Sequence, residues 1–298
     1  MHNLTRSGIF LIDKPAGITS QAALTQLKRR LGINKVGHSG TLDPFATGLL
    51  VCFTDGATKF ASYGEAGVKN YLATVLLGTQ TDTDDNTGTT IATSQSRPSQ
   101  QQFSLALRDF IGEIDQIPPQ FSAIKLAGEP AYKKARRGEQ VELKSRRVTI
   151  FKLDLVDFSS DQAVIRVCCS PGTYIRSIAR DLGLRFGCGG CLSTLRRESS
   201  APFTIADTRP LDQLNWEDLR PWESLFPDVP RVSLERDACA ALLNGNQSVL
   251  INLTNVTNLP TATLSCLFEC DGKAIGLLLR DLQGYWRLGP AVRSFEKS

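Results

Sequence analysis

Lys35-Val36-Gly37-His38-Ser39-Gly40-Thr41-Leu42-Asp43-Pro44-Phe45-Ala46-Thr47-Gly48 runs directly into Leu49-Leu50-Val51-Cys52-Phe53. Three glycines between Gly37 and Gly48 argue against a helix and for an ordered loop, because glycine opens backbone conformations closed to other residues and lets a ligand approach the main chain. Pro44 pushes Asp43 away from the helical region, towards an extended conformation that projects its carboxylate. The apolar residues that follow have the length of a buried strand. Two readings stay open on these residues alone: a turn in which Asp43 bonds nearby N–H groups, or a loop that presents a carboxylate to a ligand.

Outward from this segment, elements of both kinds alternate without a regular βαβ rhythm. Gly8 to Asp13 predicts a strand. Thr19 or Ser20 is placed to cap a helix carrying Ala23, Leu24, Leu27 and Leu31 on one face and stopping at Gly32. Tyr71 to Leu77 predicts another strand, and a polar loop from Gly78 to Gly88 leads to a short strand near Ile91. Ser99 to Ile111 has helical spacing, with Phe103, Leu107, Phe110 and Ile111 as its stripe. Val148 to Phe158 and Ala163 to Cys169 predict paired strands, Thr173 to Phe186 an amphipathic helix, and Leu192 to Arg197 a further strand. This order favours an α+β fold over a doubly wound one. The acidic stretch Pro210 to Pro230 reads as a join. Beyond it, a helical start and strands near Leu264 to Phe268 and Ile275 to Leu279 suit a small β-rich module.

The chain has 298 residues, 41% of them hydrophobic and 21% charged, with a net charge of +4. Two domains are expected at this length. No apolar run reaches the roughly 18 residues of a membrane helix, and Met1 to Ile12 lacks the pattern of a signal peptide, so a cytoplasmic protein is expected. Eight cysteines spread over the chain do not resemble a secreted disulfide framework. The charge is uneven. Lys125 to Arg147 holds eight basic residues against three acidic ones, which suits a polyanion partner or a solvated face.

Several chemistries fit poorly. Cys188 and Cys191 have the spacing of half a zinc site, but the other thiols, Cys266 and Cys270, lie in the C-terminal segment and neither histidine is near. Asp82, Asp84 and Asn86 imitate the start of a calcium loop, yet Thr87 and Thr93 stand where glycine and glutamate are needed. That loop is read as structural or substrate-facing. No phosphate-binding glycine motif precedes Lys-Ser/Thr, and no serine sits in a nucleophile elbow to serve a triad with His38.

Gly37 to Leu50 closely resembles the signature loop of the TruB family of tRNA pseudouridine synthases, and the likeness continues in order. Lys14 to Ser20, Asn70 to Thr74 with Leu77-Gly78 and Thr81 to Asp84, Pro118 to Lys125 with Tyr132 to Arg136, Gly172 to Ser177, and Leu195 to Arg197 are similar to further family blocks. The resemblance implies a mixed, largely antiparallel sheet of the pseudouridine synthase fold flanked by helices. It implies a catalytic domain over residues 1–230 with a thumb-like RNA-binding insertion at 118–147, and a small PUA-like RNA-binding domain at 231–298. It further implies isomerisation, after base flipping, of the T-loop uridine at tRNA position 55. Asp43 would act as nucleophile, with Arg176 holding it ionised and Tyr71 stacking on the base. His38, Tyr174 and Leu195 match substrate-contacting positions, with Lys14 and Lys59 as weaker matches. Lys125, Lys133, Lys134, Arg136 and Arg137 would contact RNA. The expected partner is the T-arm stem-loop of tRNA, met by a monomer with no cofactor, metal or membrane. A non-catalytic tRNA-binding or folding protein, or a synthase for another RNA, are the alternatives.

Overall fold

The computed structural model describes residues 6–122, 124–126, 129–131, 137, 139, 143–250 and 262–292. Its first strand explains why the apolar runs are unbroken. β1 (Gly8–Lys14) sends Phe10 and Ile12 into one core and Ile9 and Leu11 into another. After helix α1 (Ser20–Leu31) and β2 (Val36–Ser39), strand β3 (Thr47–Thr54) does the same: Leu50 and Cys52 face the first core, and Leu49, Val51 and Phe53 the second. Side chains alternate across a strand, so a sheet covered on both faces needs apolar residues at every position.

Thr19 caps α1, its hydroxyl accepting from the Ala22 N–H at 3.0 Å, and Gly32 ends the helix at φ 64°. Helix α2 (Ala61–Ala66) leads into β4 (Lys69–Leu77). A hairpin of β5 (Thr79–Thr81) and β6 (Thr90–Thr93) follows. Helix α3 (Gln100–Leu107) opens on a capping box between Ser99 and Gln102. It buries Phe103 and Leu107 as expected, but stops at Leu107 and tightens into a 3-10 turn over Arg108–Phe110. Ile111 is therefore exposed rather than part of the stripe. Next come β7 (Gly112–Gln116), the short pair β8 (Lys125–Leu126) and β9 (Glu129–Pro130), β10 (Arg146–Phe158) and β11 (Gln162–Cys169). Helix α4 (Ile175–Arg185) and β12 (Gly190–Ser200) complete the central part.

The main sheet is mixed and largely antiparallel. After β13 (Phe203–Thr204), the chain returns as β14 (Arg209–Pro210) and β15 (Arg220–Pro221), both pairing with β1. The strand order is β14-β1-β3-β12-β4-β11-β10-β7, parallel at β14/β1 and β3/β12. Two expectations change here. The glycines of Gly37 to Gly48 conceal a strand, since β2 pairs with β3 and His38 lies opposite Cys52; the loop proper begins after Ser39. The stretch Pro210 to Pro230 is built into the sheet edge, and Trp222 stacks on Phe60 with ring centroids 4.2 Å apart.

A second sheet contains β16 (Arg231–Ser233), β17 (Ser265–Cys270), β18 (Lys273–Arg280) and β19 (Trp286–Ala291), in that order. One face packs on helix α5 (Arg236–Leu243) through Cys239 and Leu242. From the other, Leu267 and Leu277 enter the same core as Ile9, Leu11 and Val51. The two sheets thus share apolar packing. Among the described residues, no helix is long and apolar enough to cross a membrane.

Candidate active site

The Gly40–Ala46 loop is fixed from below. Ser20 brackets Leu42: its Oγ accepts from the Leu42 N–H at 2.9 Å and donates to the Leu42 carbonyl at 3.1 Å. The Gly17 N–H donates to the Pro44 carbonyl at 2.8 Å, while Leu42 and Ala46 are buried. Gly48, at φ 104°, closes the loop; a Cβ there would stand 2.4 Å from the Arg197 carbonyl oxygen. Lys14 belongs to this support. It is fully buried and donates to the carbonyls of Pro15 and Ile18, both at 2.8 Å, and of Pro44 at 3.4 Å. Its ammonium is held on main-chain oxygens, and Lys14 lines neither of the cavities beside Asp43.

Arg176, on the first turn of α4, meets the loop. Its Nη2 donates to Asp43 Oδ1 at 3.0 Å, and Nε lies 2.9 Å from Oδ2 in an ion pair. The same guanidinium donates to the Thr83 carbonyl at 3.0 Å and the Phe121 carbonyl at 3.1 Å, and lies 3.5 Å from Asp85. One turn along, Arg180 pairs with Asp84 at 3.0 Å and donates to the Ile117 carbonyl at 2.8 Å. Gln116 sets where the helix begins, its side-chain amide bonding both the N–H and the carbonyl of Tyr174. Asp84, Asp85 and Arg180 were not foreseen as site residues. The acid-rich loop was visible in sequence, as was the four-residue spacing of the arginines, but nothing local joined them.

A cavity of about 390 Å³ opens above Asp43, and Tyr71, Tyr174, Leu195 and Arg176 line it. A second, of about 540 Å³, shares Asp43 and Arg176 and includes His38. Lys69, Arg146 and Arg197 also line the first and were not singled out from sequence. Lys59 lines neither. It donates to the Ala291 carbonyl at 2.8 Å, at the seam with the second sheet. Lys133, Lys134 and Arg136 lie outside the described residues, as does the side chain of Lys125. Arg137 is held by Glu129 at 2.7 and 2.9 Å and by Glu139 at 2.6 Å.

Burial pushes the Asp43 carboxyl above the ordinary aspartate range; Arg176 opposes this, Asp85 adds to it and Lys14 opposes it. Arg176 thus lowers the carboxyl as expected, while burial of this side chain, still 30% exposed, sets the net direction upward. Burial likewise raises the Tyr71 hydroxyl, against the pull of Arg197, so Tyr71 is a neutral phenol at neutral pH. His38 is lowered by burial and by Arg197, and its buried Nδ1 has no hydrogen-bond partner among the described residues. Chemically, the site offers an oriented carboxylate, a neutral phenol and a neutral imidazole around a space with aromatic and aliphatic walls.

Residues 28–175 match the family described as TruB family pseudouridylate synthase (N terminal domain). The tRNA pseudouridine synthase B of Ruegeria sp. (strain TM1040) is 42% identical over 254 residues, covering 82% of this chain and 84% of that protein. The protein of that name from Francisella tularensis subsp. tularensis (strain WY96-3418) is 44% identical over 243 residues, or 78% and 80% of the two chains. Among solved structures, a chain of a Cbf5-Nop10-Gar1 complex aligns over 97% of this chain and 85% of its own, with a TM-score of 0.68 and 21% identity. A chain of an H/ACA RNP bound to a substrate RNA containing 2′-deoxyuridine aligns over 98% and 88%, with a TM-score of 0.66 and 19% identity. These two share the fold.

Proposed function

The chain belongs to the TruB family of pseudouridylate synthases, and on that premise we propose that it isomerises the T-loop uridine at position 55 of tRNA to pseudouridine, with Asp43 as nucleophile. The observation that carries this reading is the Asp43–Arg176 pair, held at two points beneath a cavity lined by Tyr71, Tyr174 and Leu195. The relatives named tRNA pseudouridine synthase B support tRNA as the substrate class.

A stacked uridine cannot reach Asp43, so the base leaves its stack, at a cost of about a few kcal/mol recovered by contacts in the cavity. Tyr71 and Leu195 provide the walls, and His38, beside the loop, occupies space near the displaced base. The N1–C1′ bond then breaks, its electron pair passing to the ring, and a C5–C1′ bond forms. C5 loses its proton and N1 gains one, so the reaction is an isomerisation with nothing left over. Asp43 serves either by adding to uracil C6 or by acting at the sugar. Arg176 orients the carboxylate through one hydrogen bond from Nη2 and the close approach of Nε, a planar arrangement that a lysine cannot reproduce. The Tyr71 hydroxyl is placed to handle the C5 proton.

The basic stretch Lys125 to Arg147 serves as the thumb over the RNA, with Lys125, Lys133, Lys134, Arg136 and Arg137 reaching phosphates. Residues 231–298 form the PUA-like RNA-binding part, and the exposed Lys59 stands at the seam between the two. Recognition of this kind depends chiefly on the shape of the stem and loop. The test is an RNA competition. Pure protein is given an isolated T-arm stem-loop, the same sequence unable to pair, and an unrelated stem-loop with an exposed uridine. Modification confined to the paired T-arm is expected; equal modification of all three overturns the T-arm assignment.

A further inference from the structure

Two buried cations, Arg197 and Lys69, line the 390 Å³ cavity, and among the described residues neither has a carboxylate within ion-pair distance, although Glu65 also lines the cavity. Across the β4/β12 ladder, Tyr71 and Arg197 are direct partners. Side chains two residues apart share a strand face, which places Lys69 beside Tyr71 and Leu195 beside Arg197. All four line the 390 Å³ cavity. Arg197 is 1% exposed; Nε donates to the Leu49 carbonyl at 2.7 Å and Nη2 to the Gly40 carbonyl at 3.1 Å. Lys69 is 5% exposed and donates to the carbonyls of Glu65 at 2.6 Å and Gly67 at 2.8 Å. By contrast, Arg176, Arg180 and Arg196 each reach a carboxylate within 3.0 Å.

Removing a charge from water costs several kcal/mol unless an opposite charge compensates. Carbonyl dipoles offset part of this. Two such cations on one wall leave a local excess of positive charge facing an open cavity. The reaction assigned to the cavity generates the matching anion. When N1–C1′ breaks, the electron pair spreads over N1, O2 and O4 of the ring. If a nucleophile first adds at C6, the electron pair of C5=C6 passes to O4 instead. Either route loads the ring with negative charge until a ring electron pair forms the C5–C1′ bond; loss of the C5 proton and protonation of N1 then complete the isomerisation.

We propose that Arg197 and Lys69 form a cationic wall that stabilises the negative charge developing on the uracil ring, on the premise that this cavity receives the target uridine. Fixed charges aimed at a developing anion need no reorganisation during the reaction, and loss of one such group typically costs about 10²–10³-fold in rate. The other ionisable groups around the wall are Tyr71 against Arg197, Glu65 and Cys169 near Lys69, and Asp43 with Arg176; Arg146 and Tyr174 also line the cavity. Burial brings Lys69 down to about 8, with Arg197 adding to the fall. Its contribution therefore fades above that pH, while that of the arginine persists.

The experiment reads the electrostatics rather than turnover. An RNA stem-loop carrying 5-fluorouridine at the target position is bound to the Asp43→Asn protein, and the ionisation of the fluorinated ring is followed by fluorine NMR from pH 5 to 8. Cations close by should lower the pH at which the ring loses its proton by about 1–3 units relative to free RNA. Arg197→Gln and Lys69→Gln, each in the same background, should remove a large part of that shift, and Arg197→Lys should restore some of it. Melting curves identify any variant that fails to fold, in which case the other position decides. A fluorine resonance that moves on binding but ionises as in free RNA overturns the cationic wall alone. A resonance unmoved by binding overturns the uridine pocket, and the wall with it.

Discussion

Arg176 and Asp43 stand 133 residues apart in sequence, yet Nη2 lies 3.0 Å from Oδ1 and Nε 2.9 Å from Oδ2. The carboxylate comes from an irregular loop and the guanidinium from the first turn of a helix, so neither element alone positions the pair. The arginine is also fastened to the carbonyls of Thr83 and Phe121. It therefore locks together the signature loop, the acid-rich loop and the root of the basic insertion. A change at this residue is felt in all three.

Arg176→Lys keeps the charge but loses the fork, and one ammonium cannot satisfy both oxygens of Asp43 and two carbonyls in the same geometry. Small misplacement of a reacting group costs on the order of 10²-fold. Single-turnover rates should fall by about that factor with tRNA affinity little changed. A rate within threefold of wild type would make the arginine peripheral.

In the proposed reaction Asp43 works as the carboxylate. Because burial raises its pKa despite Arg176, the proton returns at a higher pH than for an ordinary aspartate, so activity should begin to fall sooner on acidification. Asp85 adds to the rise; Asp85→Asn should therefore move the acid limb to lower pH. Single-turnover rates between pH 4 and 8 measure both. An acid limb at ordinary aspartate values, unmoved in the variant, contradicts this.

Lys14→Met removes the donor to the Pro15 and Ile18 carbonyls inside the fold. Buried groups left without partners cost about 1–3 kcal/mol each, so a loss of at least about 2 kcal/mol is expected. Thermal melting should fall by roughly 4–8 °C. A fully stable variant that loses only RNA affinity would return Lys14 to the substrate.

Local signals were read where the physics is local. The Thr19 cap, the stop at Gly32, the apolar runs of β1 and β3 and the alternating β4 all follow from spacing and side-chain type. The strand in Val36–Ser39 was not legible, because its stability comes from pairing with β3 rather than from its own residues. Arg197 shows the same limit within the site: nothing in its neighbourhood of sequence says that β12 will set it opposite Tyr71. The burial of Lys14 was equally illegible, since a lysine after a strand is usually solvated and its burial depends on three carbonyls brought round by separate turns.

In the basic insertion, replacing Lys133, Lys134 and Arg136 by Ala should weaken tRNA binding and lower the log–log salt slope by roughly 0.7–0.9 for each lost phosphate contact. Arg137, occupied by Glu129 and Glu139, should add less when replaced. Dissociation constants at several salt concentrations decide this. An unchanged slope in the triple variant would reduce the segment to a solvated face.

The most direct measurement is nucleotide-resolution mapping of pseudouridine in unmodified tRNA after incubation with wild-type protein and with Asp43→Asn, alongside their tRNA dissociation constants. Wild type should modify a single T-loop uridine at position 55. The variant should give no product while binding tRNA within several-fold of wild type, because binding rests on many contacts and the chemistry on one carboxylate. Near-normal turnover by Asp43→Asn, with deamidation excluded, or modification outside the T-loop by wild type, would contradict the account.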